Sequence, residues 1–119
     1  MKALVRLAAV AAVLGGGCLA YGATVKGILV DRQCGAKMAS TNDQKAASAH
    51  TRECALMPGC TGSGFGVLTA DGKFMILDAD GNKKAEAALK ASKKASDIQV
   101  QVTGNVTGEN VKVSTIKIL

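Results

Sequence analysis

Residues 64–96, GFGVLTADGKFMILDADGNKKAEAALKASKKAS, decide how this chain folds. Residues 64–70 and 73–78 are two apolar runs of strand length. Asp71-Gly72 lies between them, and Asp-Gly between apolar runs is the strongest short hairpin signal, because the tight two-residue turn asks for positive φ at both positions. DADGN at 78–82 reads as another tight turn. Residues 83–96 read as a helix that buries Ala85, Ala88, Leu89 and Ala95.

Working outward, residues 24–32 (TVKGILVDR) are rich in β-branched side chains and read as a first strand ended by Cys34-Gly35. Residues 39–57 are Ala-rich, with Ser40, Thr41 or Asn42 available as an N-cap, and read as a helix stopped by Pro58-Gly59. Downstream, Ile98, Val100 and Val102 alternate with Gln99, Gln101 and Thr103, the pattern of a strand with one face in the core. Residues 104–110 turn the chain, and Val111, Val113, Ile116 and Ile118 make a last strand. Its alternation slips between Val113 and Ile116, which predicts a β-bulge.

This order predicts a β-rich α+β domain: a small five-stranded OB-like antiparallel barrel with two helices, one inserted after strand 1 and one between strands 3 and 4. Closure into a barrel would hide the sheet edges. The competing architecture is a two-layer α+β sheet.

The N-terminus reads as an export signal. Lys2 and Arg6 precede a wholly apolar run at 7–14, then Gly15-Gly16-Gly17 and further small residues, the three-part order of a secretory signal peptide. The apolar run is far shorter than the ~20 residues that cross a bilayer, so no transmembrane helix is expected in the mature protein. Cleavage after Gly22 or Ala23 fits, dividing the chain into a signal peptide at 1–23 and one domain at 24–119, located in the periplasm or secreted. The rival is lipidation at Cys18, but Gly15 stands where lipoprotein signals usually carry Leu.

Composition narrows the partners. Without Lys2 and Arg6, 13 basic residues face 9 acidic ones, a mild and scattered excess that suits a solvated surface. After the signal, Phe65 and Phe74 are the only aromatic residues. Stacking platforms for single-stranded nucleic acid need aromatics, and an exported protein rarely meets nucleic acid, so no nucleic-acid partner is expected.

Chemistry concentrates between Cys34 and Cys60, which enclose three cysteines and the only histidine of the chain. His50 and Cys54 are spaced i, i+4, which on a helix puts both on one face. Pro58-Gly59 can fold Cys60 back, and Cys34 would come from the end of the first strand. Cys34, His50, Cys54 and Cys60 would then form a Cys₃His set for tetrahedral Zn²⁺ or for Cu(I), with Met38 and Met57 soft enough to join a copper site. The spacing itself is not diagnostic, since it contains no Cys-x-x-Cys.

The plain alternative is a disulfide among Cys34, Cys54 and Cys60, because exported cysteines tend to pair. Three mature cysteines leave one unpaired, which argues against a purely structural role. A third reading is a thiol-redox protein, in which His50 lowers the Cys54 pKa and Asp31 or Glu53 orients the ring. Two weaker signals carry little. Residues 78–82 resemble a fragment of a Ca²⁺ loop but continue into Lys83-Lys84 instead of acidic ligands. The Gly-rich run 62–66 enters a strand and so lacks the helix N-terminus of a phosphate cradle.

The run His50-x-x-x-Cys54-Ala55, then Cys60, Ser63-Gly64-Phe65-Gly66-Val67-Leu68 and Asp71-Gly72-Lys73-Phe74, is similar to a group of small, uncharacterised exported bacterial proteins. In these a V-x-G-x-hydrophobic-hydrophobic-Asp strand precedes a Cys, as Val25 to Asp31 and Cys34 do here. The resemblance covers about residues 24–119 and implies that Cys34, His50, Cys54 and Cys60 belong to one constellation. It implies no particular activity. Taken together, the residues favour an exported binding module over an enzyme: a Cys/His site for a soft metal, Zn²⁺ or Cu(I), against a disulfide-stapled structural or interaction domain.

Overall fold

The computed structural model describes residues 22–119. The Cys18 alternative and all but the last two residues of the expected signal peptide at 1–23 lie outside the described residues; Gly22 and Ala23 are described, and Ala23 begins the first strand.

The first strand, β1 (Ala23–Asp31), runs straight into helix α1 (Arg32–Ser40). Three short helices follow: α2 (Gln44–Ala49), α3 (Arg52–Ala55) and α4 (Pro58–Ser63). Then come β2 (Phe65–Leu68), β3 (Phe74–Leu77), helix α5 (Ala79–Ala91), β4 (Gln99–Thr107) and β5 (Asn110–Ile118). The result is an α+β fold with one five-stranded mixed sheet and five helices among the described residues.

The strands are hydrogen bonded in the order β1-β2-β3-β5-β4, and β4 returns to β1, so the sheet closes on itself. The expectation of antiparallel pairing throughout needs correction, because β3 and β5 run parallel, with Ile76 opposite Asn110 and Leu77 opposite Val111. The reason is one of parity. A ring with an odd number of strands cannot alternate direction all the way round, so a closed five-stranded sheet must hold a parallel pair.

The expected hairpin and bulge both form. The β2–β3 connection is longer than a two-residue turn: Thr69 N–H donates to Lys73 O, Gly72 N–H donates to Thr69 O, and only Gly72, at φ +91°, has positive φ there. In β4–β5, Thr103 faces Thr115 and Gly104 faces Val113, which leaves Ser114 as the extra residue. A Cβ on Gly104 would lie 2.1 Å from Lys112 O, so glycine is what lets the strands approach at the bulge.

In place of the single inserted helix expected at 39–57, four helices occupy residues 32–63, of which α2 and α3 lie wholly within the expected span. Asn42 (φ +49°) breaks the run, and new helices start where Asp43 caps Ala46 N–H, where Thr51 caps Cys54 N–H, and at Pro58. Cys34-Gly35 does not end β1 in a loop. It sits in the first turn of α1, because Asp31 is a good N-cap and Gly35 leaves room for the Phe74 ring, 2.5 Å from where a Cβ would stand. DADGN at 78–82 is likewise no free turn. Asp78 caps Gly81 N–H and the segment opens α5, which ends at Ala91 and leaves Ala95 exposed.

The core has two parts. Inside the closed sheet, Leu29, Phe65, Val67, Leu77, Val100, Val102 and Val111 pack with Ala85 and Leu89 of α5. Outside it, Ile28, Val30 and Leu68 pack with Ala47, Met38 and Phe74 beneath α1 and α2. Residues 28–31 of β1 are therefore buried on both faces, and Asp31 ends that run. Among the described residues no helix is long and apolar enough to cross a membrane.

Candidate functional site

Asp31 is the only buried charged residue among the described residues, with no exposed surface. An isolated buried carboxylate would cost several kcal/mol, so its partners matter. Oδ2 accepts the Cys34 backbone N–H at 3.0 Å, the N-cap bond of α1. Oδ1 accepts from His50 Nε2 at 2.7 Å. The His50 side chain is 8% exposed, so this pair is shielded from water on both sides.

Around the carboxylate stand two thiols. Cys34 is the third residue of α1 and Cys60 the third of α4, and both are half-buried. The carboxylate of Asp31 and the sulfurs of Cys34 and Cys60 lie within 4.8 Å of one another. Two hydrogen bonds tie the helices together, from Arg32 N–H to Gly64 O and from Gln33 N–H to Ser63 Oγ, and within α4 Ser63 O–H donates to Cys60 O.

Burial pushes the Cys34 thiol above its usual value, and the Asp31 charge adds to the effect. The N-terminal turn of a helix works the other way, since it favours thiolate. Here burial and the carboxylate win. Burial likewise raises the Cys60 thiol, helped by Asp31 and then by Cys34. The cluster thus holds two neutral thiols against a buried carboxylate. Coordination to a cation would reverse this, because it favours thiolate and satisfies the carboxylate together.

The structure brings together only part of the expected set. Cys34 and Cys60 converge, and His50 touches the cluster through Asp31. Cys54 is exposed and outside the group. The reason is local. His50 has extended backbone (φ −66°, ψ 125°) at the C-cap of α2, and α3 begins only at Arg52, so His50 and Cys54 do not share a helical face. Met38 packs in the outer apolar cluster, and Met57 is exposed. Asp31 enters the sequence reading only as an orienting group. The available signal was its place: an acid closing the buried run Ile28-Leu29-Val30 where a helix needs an N-cap.

Two surface recesses, of about 320 and 210 Å³, contain none of these residues. Comparison with protein-family models, with curated proteins and with solved structures gave no match.

Proposed function

We propose that this chain is an exported, OB-like binding module that holds a zinc ion between Asp31, Cys34 and Cys60, with His50 fixing the Asp31 carboxylate from behind. The observation that carries the reading is the mutual approach of one buried carboxylate and two half-buried sulfurs to within 4.8 Å. On tetrahedral zinc, with Zn–S near 2.3 Å, two sulfurs stand about 3.8 Å apart, so small side-chain shifts suffice. Three protein donors leave a fourth position for water or an outside donor. The His50–Asp31 pair resembles the outer-shell partners that orient metal ligands.

The donor set favours zinc over Cu(I). A carboxylate is a hard ligand that suits Zn²⁺ and not Cu(I), while Met38 packs in the outer apolar cluster and Met57 is exposed. The thiol-redox reading built on His50 and Cys54 loses its geometric basis, because the His50 ring is hydrogen-bonded to Asp31 and shares no helical face with Cys54. The OB-like assignment is supported by the cyclic order β1-β2-β3-β5-β4 with a helix between the third and fourth strands. It does not choose the function, because such folds carry many. Export rests on the charged and apolar pattern of residues 1–23.

Native mass spectrometry of the reduced protein tests the site. About one zinc per chain is expected, retained by Cys54→Ser and lost by Cys34→Ser and by Asp31→Asn. A reduced protein that takes up no zinc overturns the reading and leaves the disulfide-stapled domain in its place.

A further inference from the structure

Which cysteines can pair is left open by spacing, but not by geometry. Cys34 and Cys60 come from different helices, yet their sulfurs lie within 4.8 Å. Their backbones are held near each other by the bonds from Arg32 to Gly64 and from Gln33 to Ser63. Bringing the sulfurs from 4.8 Å to a bond length of ~2.05 Å closes at most about 2.8 Å. Cys54 stands exposed outside the cluster.

We infer that Cys34 and Cys60 are a dithiol–disulfide pair, and that closing the disulfide evicts the metal from the same cluster. The second half rests on the zinc reading above. The reactant is a partner disulfide, R–S–S–R. One protein sulfur attacks it, breaking the R–S–S–R bond and forming a mixed disulfide while the first R–SH leaves. The second protein sulfur then attacks the mixed disulfide, forming Cys34–S–S–Cys60 and releasing the second R–SH. Two electrons pass from the protein sulfurs to the partner, and the two thiol protons leave on the R–SH products. Starting from the zinc thiolates, the products are the same disulfide, two R–S⁻ and free Zn²⁺. A disulfide offers zinc no thiolate, so the one pair of sulfurs holds either a metal or a sulfur–sulfur bond. The unpaired third cysteine then needs no partner, because Cys54 is the one the fold leaves outside.

The test treats reduced protein, metal-free and zinc-loaded, with glutathione disulfide. Linkages are mapped by peptide mass spectrometry without reductant, and zinc is counted by native mass spectrometry. The expected result is a Cys34–Cys60 linkage in both wild type and Cys54→Ser, formation of that linkage in step with zinc loss, and recovery of zinc binding on reduction. A dominant linkage through Cys54, or no internal linkage at all, overturns the pair. An oxidised Cys34–Cys60 protein that keeps its zinc overturns the eviction. If the linkage forms but the reduced protein never binds zinc, the pair stands while the zinc reading and the eviction both fail.

Discussion

Asp31 and His50, at opposite ends of the segment that supplies α1 and α2, meet through a 2.7 Å hydrogen bond in which the carboxylate has no exposed surface. Removing the ring strands a buried charge with one backbone donor left. His50→Ala is expected to destabilise the metal-free protein by about 3 kcal/mol, the cost of breaking a buried pair from one side. Asp31→Asn with His50→Ala is expected to cost less than the sum of the two singles. Urea denaturation of the four proteins of this cycle checks both statements.

The raised thiols set a pH dependence with a definite sign. A group whose folded pKa exceeds its unfolded one supports the fold below the unfolded value and withdraws that support as pH rises through the folded one. The metal-free protein is therefore expected to lose stability as pH climbs past 9.0, the usual thiol value from which both groups are raised. Zinc works in the opposite sense. Binding must expel the thiol protons, so apparent affinity rises with pH and protons are released on loading. Denaturation at pH 8 and pH 10, and zinc titration in two buffers of different ionisation enthalpy, measure these effects.

Oxidation of Cys34 and Cys60 closes a loop of 27 residues. In the chain-entropy account this stabilises the metal-free fold by about 3.5 kcal/mol. The denaturation midpoints of oxidised and reduced protein give the difference directly, with Cys54→Ser used to suppress exchange between molecules.

Gly35 couples the sheet to the site. Its missing Cβ is replaced by the Phe74 ring, 2.5 Å from the atom's ideal position, and the same ring fills the space over Gly66. Gly35→Ala is expected to push α1 off β2 and β3, at a cost of about 1–3 kcal/mol for overpacking. Because Cys34 is the adjacent residue, zinc affinity should fall with it. Gly59→Ala, where a Cβ meets nothing within 4 Å, is the matched control on α4.

What the sequence disclosed followed from period. Val100 and Val102 against Gln101 and Thr103, and the slip between Val113 and Ile116, are local patterns, and the strands and the bulge at Ser114 follow from them. The parallel β3–β5 contact was hidden because pairing across a closed sheet is a property of the whole ring. The site was half legible. Composition singles out Cys34 and Cys60, but i, i+4 spacing promised a His50–Cys54 face that holds only on one unbroken helix. Capping by Asp43 and Thr51 divides that helix, and those short polar side chains look alike whether they start a new helix or decorate an old one.

One strand fixes where the cluster lies relative to the N-terminal end of the domain. β1 begins at Ala23 and ends at Asp31. At ~3.3 Å per residue the two lie up to about 26 Å apart. The proposed processing after Gly22 or Ala23 would trim the chain at one end of this strand, while the cluster sits at the other. An N-terminal tether would then attach at the far end from the thiols and leave them open to whatever delivers or withdraws the proposed metal.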